Sequence, residues 1–360
     1  MPDDNMDPGG TGLAVSGGGY RAMLFHLGAF WRLCDAGLLP SINWISSVSG
    51  GSITSAKLAL EWHRVATPAD FAAHVAEPIR RLASKTIDKG SIIGGVLLPG
   101  SVADRISDHY AEVLFGDATL QDLPDTPRFV INATNVETGK LWRFSKPYMG
   151  DYIVGRVSNP ATRLADAVTA SSAFPPVLSP FTLDVEPEDF DLPGPGVDDT
   201  MRRDITLTDG GVYDNLGLET VYKRHGTVLV SDAGGAVPLD ASPPSDWLRH
   251  TGRVMDIIHA QVSSLRKRSL IEAYKAGERA GTYWGVGTDI ADYALADAFP
   301  APFERTLELA RMPTRLKRVT HTLQERMINW GYAVSDAAIR KHWRPSLSRP
   351  AALPYPATGI

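Results

Sequence analysis

A buried strand that runs straight into a helix leaves only a tight corner between them, and residues 42–62 require such a corner. Ile42-Asn43-Trp44-Ile45 is a short apolar run of the kind that forms a buried strand. From Ile53 to Trp62, apolar residues recur at helical spacing. Between them stands Ser46-Ser47-Val48-Ser49-Gly50-Gly51-Ser52, small residues that fit a sharp turn. A flexible linker has no reason to join a buried strand directly to a helix. Ser49 then sits at the tip of a strand–turn–helix unit, at a helix N-terminus where backbone N–H groups and the dipole favour negative charge.

The same alternation runs along the chain. Strands are expected at 12–17, 128–133, 205–207 and 227–232, and helices at 20–38, 68–84, 101–115, 162–171 and 252–279, with at least one more in 304–330. Short apolar strands alternating with helices predict an α/β fold, a mainly parallel central sheet flanked by helices. Residues 184–204, acidic and proline-containing, read as a surface loop. Residues 90–100 are aliphatic but broken by glycines, which allows either a loop packed on the core or a flap that covers the Ser49 turn and meets lipid.

Composition excludes several classes. Net charge is −5, and the short cluster Arg266-Lys267-Arg268 reads as a solvated helix face, so nucleic acid is not an expected partner. The single cysteine, Cys34, lies in an apolar helical run and reads as a small core residue. The acidic, polar start of the chain lacks the pattern of a Sec signal, and no apolar run reaches membrane-span length. A cytoplasmic location is therefore expected, with export without a leader left open.

Three stretches at predicted strand ends carry chemistry, as expected of open α/β sheets. Ser16-Gly17-Gly18-Gly19-Tyr20-Arg21 can turn sharply and present bare N–H groups to an anion. Its match to a dinucleotide-binding loop fails, because the next strand ends in Ser47-Val48-Ser49 with no carboxylate for a ribose. A P-loop fails for want of Gly-Lys-Ser/Thr. Ser49 can be a nucleophile if a base takes its proton and donors hold the oxyanion. Asp209-Gly210-Gly211 places an aspartate after a strand; taken alone it is a turn aspartate.

Together and in this order these stretches resemble the patatin-like phospholipases, serine acyl hydrolases with a Ser–Asp dyad. The resemblance covers roughly residues 12–235. Gly17, Gly18 and Gly19 with Arg21 match the family's oxyanion loop, Ser47–Gly51 its G-x-S-x-G elbow with serine for the first glycine, and Asp209-Gly210-Gly211 its D-G-G/A motif. Thr134–Gly139 and Ala170–Pro176 match more weakly. The resemblance implies a three-layer patatin-like architecture, Ser49 as nucleophile, Asp209 as base, and an oxyanion hole at Gly17, Gly18 and Gly19. Arg21 would position the loop or attract an anionic head group, unless it only pairs with a surface carboxylate.

One domain is expected over 12–343, mainly helical beyond 236, with irregular tails at 1–11 and 344–360. No cofactor is implied, and the acidic insertion lacks calcium-loop spacing, so no metal is expected. The expected partner is a lipid or other ester, met in transient contact with a membrane surface. A phospholipase A or lysophospholipase-like activity leads. A soluble carboxylesterase or thioesterase, and a catalytically silent lipid-binding scaffold, are the alternatives. A Ser-His-Asp triad would need His225, His250 or His259; none has the sequence context that Asp209 has. His26, about 10 Å along its helix from Gly19, reads as a satisfied core histidine.

Overall fold

The computed structural model describes residues 7–87, 102–175, 178–194 and 197–360. At its centre β1 (Asp7–Val15) lies between β2 (Trp44–Val48) and β10 (His225–Asp232). β10 pairs outward with β11 (Ala280–Gly285) and β2 with β3 (Arg128–Asn135), all four pairings parallel. Parallel strands covered on both faces are apolar without alternation. Leu13-Ala14-Val15 and Val228-Leu229-Val230 are accordingly buried throughout.

Beyond β3 the sheet turns antiparallel through β4 (Lys140–Phe144), β5 (Tyr148–Asp151), β6 (Gly155–Ser158) and β8 (Leu192–Pro193). β9 (Ile205–Asp209) pairs antiparallel with both β3 and β7 (Phe181–Leu183). The parallel centre matches the sequence expectation. The antiparallel extension was not legible, because its strands are short and several are held by cross-strand pairing more than by an apolar pattern.

The helices are α1 (Gly19–Asp35), α2 (Gly50–Leu60), α3 (Pro68–Phe71), α4 (Glu77–Ala83), α5 (Val102–Tyr110), α6 (Leu164–Ser172), α7 (Gly211–Asp214), α8 (Leu218–Tyr222), α9 (Trp247–Lys275), α10 (Phe303–Ala310) and α11 (His321–Ala338). α1 is buried around most of its circumference, the mark of a helix enclosed by packing. It packs against α2 and α11. At the crossing with α11 the backbones touch. A methyl group on Gly28 would lie 2.0 Å from the Ile328 carbonyl oxygen, and one on Gly331 would lie 1.9 Å from that of Phe25. Only hydrogen fits at either position.

Some expected boundaries are corrected. The first strand starts at Asp7, so residues 7–11 are not an irregular tail: the Asp7 amide bonds the Arg224 carbonyl and the strand pairs with β10. α9 begins at Trp247, before the expected 252, because Asp246 caps the Arg249 amide at 3.0 Å. Residues 344–360 form no helix or strand but dock on α11, where the Asn329 side chain donates to the carbonyls of Tyr355 and Gly359, both at 2.8 Å. Residues 90–100 lie outside the described residues.

Gly28→Ala and Gly331→Ala should each destabilise the protein by ~1–3 kcal/mol through overpacking. Gly252→Ala, on the exposed part of α9 with nothing within 4 Å of an added methyl, should be neutral or slightly stabilising. Thermal melts of the three variants check this; equal Tm values would refute the backbone contact.

Candidate active site

The site is built at one edge of β3. β2 pairs with that edge only as far as Val48 opposite Asn132, then leaves the sheet at Ser49. β4 occupies the other edge along Ile131–Asn135. The residues that β2 vacates, Ala133–Asn135, are paired by β9, which runs the opposite way and ends with Asp209 opposite Ala133. The chain that departs at Ser49 and the chain that arrives at Asp209 therefore meet head-on beside β3.

Ser49 is held at φ 51° and ψ −122°, a backbone conformation that non-glycine residues rarely adopt. Its amide donates to the Ser171 hydroxyl at 2.9 Å. That hydroxyl in turn donates to the Asn132 carbonyl at 2.7 Å and lies 2.9 Å from the Ser52 hydroxyl. The Asn132 side chain donates to the Ser47 carbonyl and the Ser46 hydroxyl, and accepts from Thr220. The turn is thus over-determined by its neighbours, as a strained position must be. Ser47, in place of the expected glycine, needs no positive φ: it is a strand residue whose hydroxyl donates to Val130.

The same end of α6 holds the aspartate turn. The Asp209 amide donates to Ala173 and the Gly210 amide to Ser171, while Thr134 donates to the Asp209 carbonyl. The Asp209 carboxylate accepts the Gly211 amide at 2.7 Å, and the Ser49 side chain is near enough to favour its charged form. Ser49 and Asp209 are 7% and 2% exposed. Burial raises the Asp209 pKa to about 6, against the opposing pull of the Gly211 amide and the Ser49 side chain.

Of the three glycines in the first loop, Gly17 is not a free donor, which corrects the sequence reading: its amide bonds the Asn215 carbonyl at 3.0 Å. Its role is space, since a methyl there would fall 3.1 Å from the Ser49 Cβ. Gly18 and Gly19 both adopt positive φ, and their amides have no acceptor among the described residues. The same holds for the amide of Gly50, in the first turn of α2. Gly50 touches the loop so closely that its missing Cβ would lie 2.1 Å from the Gly19 carbonyl oxygen. Gly50 was not singled out from sequence; its place directly after an elbow serine was the available signal.

Arg21 is a loop brace and does not face a head group. Buried, it donates from Nε to the Ala233 carbonyl, from Nη1 to Met312 and from Nη2 to Thr314. Burial lowers its pKa to about 10, opposed by Asp232. His26 is fully buried, with its ring nitrogens 2.8 Å from the Ser231 hydroxyl and 2.9 Å from the Ser16 carbonyl. Burial first among several causes pushes its pKa down to about 4, so it stays neutral. His225 begins β10, at the opposite end of the parallel strands from Ser49. His250 is exposed against Pro244, and His259 lies beside the Phe174 ring at 6.4 Å. No cluster of three or more His, Cys, Asp or Glu able to hold a metal occurs among the described residues.

In comparison with known proteins, the family model Patatin-like phospholipase matches residues 13–222. No curated protein sequence matches the chain. Among solved structures, human GIVD cytosolic phospholipase A2 aligns with a TM-score of 0.54 at 13% identity, covering 92% of this chain and 59% of that one. Its complex with methyl γ-linolenyl fluorophosphonate gives 0.52 at 15% identity, covering 94% and 58%. That likeness is one of fold, and this chain spans about 59% of the human protein's length. The family match covers more than half of the chain and takes in the glycine loop, the Ser49 elbow and the Asp209 turn; the chain belongs to the patatin-like phospholipase family.

Proposed function

We propose that the protein is a lipid acyl hydrolase of the phospholipase A or lysophospholipase type, working through a Ser49–Asp209 dyad. What supports this reading is that the Ser49 elbow and the buried Asp209 turn meet at one edge of β3, where burial raises the Asp209 pKa to about 6, a value suited to a general base near neutral pH. No histidine bonds to either residue among the described residues.

Asp209 accepts the Ser49 proton as the serine oxygen attacks the ester carbonyl. The amides of Gly18 and Gly19, joined by that of Gly50 at the start of α2, donate to the oxyanion, and the α2 dipole favours the developing charge. Collapse expels the alcohol, which takes the proton from Asp209, and leaves an acyl-enzyme on Ser49. Water then attacks the acyl carbonyl, giving its proton to Asp209; the fatty acid leaves and Ser49 recovers its proton. Arg21, locked to three acceptors, keeps the glycine loop in register without touching the substrate.

Intact-protein mass spectrometry after a fluorophosphonate probe tests the assignment. One adduct is expected, on Ser49; an adduct on Ser47 or Ser52 would refute it. Ser49→Ala should lose both labelling and hydrolysis and keep its fold. Ser49→Gly should be equally inactive yet melt above Ser49→Ala by ~1 kcal/mol or more, since glycine relieves the backbone strain. Equal melting temperatures would show that the elbow is unstrained.

The raised pKa of Asp209 makes two further expectations. kcat/KM should climb about tenfold per pH unit below about 6 and level off above it, as the base ionises. The folded state also holds this proton more tightly than the unfolded chain. That stabilisation is complete below the ordinary carboxylate value of 3.8 and is lost as pH rises through about 6. Asp209→Asn should therefore be nearly inactive, and at pH 8 should be no less stable than the wild type. His225, His250 and His259 changed singly to Ala should keep substantial activity. A histidine variant as inactive as Ser49→Ala, and normally folded, would replace the dyad with a triad.

A further inference from the structure

Two glycines from separate motifs make room for the same side chain. A methyl group on Gly17, in the first loop, would lie 2.4 Å from the Asn215 Oδ1 and 3.1 Å from the Ser49 Cβ. One on Gly211, in the aspartate turn, would lie 2.7 Å from that same oxygen and 2.9 Å from the Asp209 Oδ1. Both approaches to Oδ1 are closer than a methyl group tolerates, so Asn215 stands where it does only because these two residues are glycine. Its side-chain oxygen therefore neighbours both members of the proposed dyad. Its nitrogen is turned toward Gly234, whose added methyl would lie 3.5 Å from Nδ2.

The backbone at Asn215 is held firmly. The residue directly follows α7, and its carbonyl accepts the Gly17 amide. Asp214 before it is buried, and its carboxylate takes the amides of Leu216 at 3.2 Å and Glu219 at 2.7 Å. Arg266 lies 3.7 Å from that carboxylate. The Asn215 side chain, by contrast, is half-buried and forms no hydrogen bond with another described residue. A carboxamide fixed beside a nucleophile and a base, and committed to neither, can serve a third polar molecule.

The second half of the reaction names that molecule. During acylation Asp209 takes its proton from Ser49. During deacylation the Ser49 oxygen belongs to the ester, and Asp209 must take a proton from water instead. That water carries two hydrogens. One points at Asp209, and the other needs an acceptor of its own in a closed site. An amide oxygen accepts a hydrogen bond but does not remove a proton at neutral pH, so it orients the water without competing with the base. We propose that Asn215 is a catalytic residue of deacylation, whose Oδ1 accepts the second hydrogen of the hydrolytic water and aims the water oxygen at the acyl carbon; the role rests on the acyl-hydrolase reading. In the step itself the water oxygen bonds to the acyl carbon, one hydrogen passes to Asp209, and the carbonyl electron pair moves onto the oxyanion. Collapse breaks the bond to the Ser49 oxygen, which recovers the proton from Asp209. The second hydrogen departs on the carboxyl group of the released acid.

Methanol supplies the test, because it has a single hydroxyl hydrogen. It can deacylate the enzyme through Asp209 without calling on Asn215. Asn215→Leu keeps the branched skeleton of the side chain and removes its oxygen; Asn215→Ala removes both. Each variant and the wild type are given p-nitrophenyl butyrate in aqueous methanol, and butyric acid and methyl butyrate are measured separately. In both variants the steady-state release of butyric acid should fall about a hundredfold. Fluorophosphonate labelling of Ser49 and the initial burst of p-nitrophenol should stay near the wild-type rate, and a butyryl adduct should accumulate on the intact protein. The ratio of methyl ester to acid should rise about tenfold or more. That ratio is set within each active molecule, so a variant that is partly unfolded still reports it. An unchanged ratio would overturn the proposal. So would labelling that falls in step with turnover, which would assign Asn215 to acylation or to the fold. A wild type that labels and hydrolyses, with a flat ratio in the variants, removes the role of Asn215 alone. A wild type that does neither removes the acyl-hydrolase reading and this role with it.

Discussion

Everything at the site depends on one edge of β3 being shared by two strands. β2 pairs with it up to Val48 and then leaves, and β9 pairs with the residues β2 gives up. Because β2 is parallel to β3 and β9 antiparallel, their C-terminal ends point at each other. Register then fixes the separation of Ser49 and Asp209, since both neighbour the short stretch Asn132–Ala133. Side-chain flexibility has little to add when two backbones are stitched to the same strand by their amides.

The C-terminal end of α6 locks this arrangement. Ser171 takes the Ser49 amide on its hydroxyl and the Gly210 amide on its carbonyl, and Ala173 takes the Asp209 amide. One turn of helix therefore holds both halves of the proposed dyad. The stitching also explains how Ser49 can persist at positive φ. A strained residue needs neighbours that cannot relax around it, and here they are buried hydroxyls and amides each committed to a partner. Burial of Asp209 follows from the same packing, and burial is what raises its pKa. The geometry that brings the two side chains together thus also tunes the one that would act as base.

Arg21 and α9 extend that rigid centre outward in different ways. Arg21 ties the glycine loop to Ala233 and to the chain near Met312, so the loop is braced from behind. α9 is braced through Arg266 and Lys267, whose carboxylate partners sit at the ends of α7 and β10 and at the start of α8, and through the buried Leu270 and Ala273. Its first part, residues 247–265, lies at the surface, where Trp247, Val254, Met255, Ile258, Val262 and Leu265 are exposed.

The strand-to-helix corners at Gly17–Gly19, Ser49–Gly51 and Asp209–Gly211 were legible in the sequence because each is written locally: a short apolar run, a cluster of small residues, then helical spacing or a turn. The parallel centre followed from the same alternation. Other features were not local. Gly17 looked like a donor until the Asn215 carbonyl, far along the chain, proved to hold its amide. Arg21 looked available for a head group until burial and three acceptors occupied it. Gly50 joined the amides without acceptors only once the loop and the elbow were seen in contact. The exposed arc of α9 has the same spacing as a core-facing stripe; periodicity states that a helix has an apolar side but not whether the rest of the protein covers it. Sequence by itself determined the local elements and the residue types at their ends. Tertiary structure alone decided which of those ends meet, which polar groups are already spent on a partner, and which apolar face is left to the outside, because these depend on contacts between segments that lie tens to hundreds of residues apart.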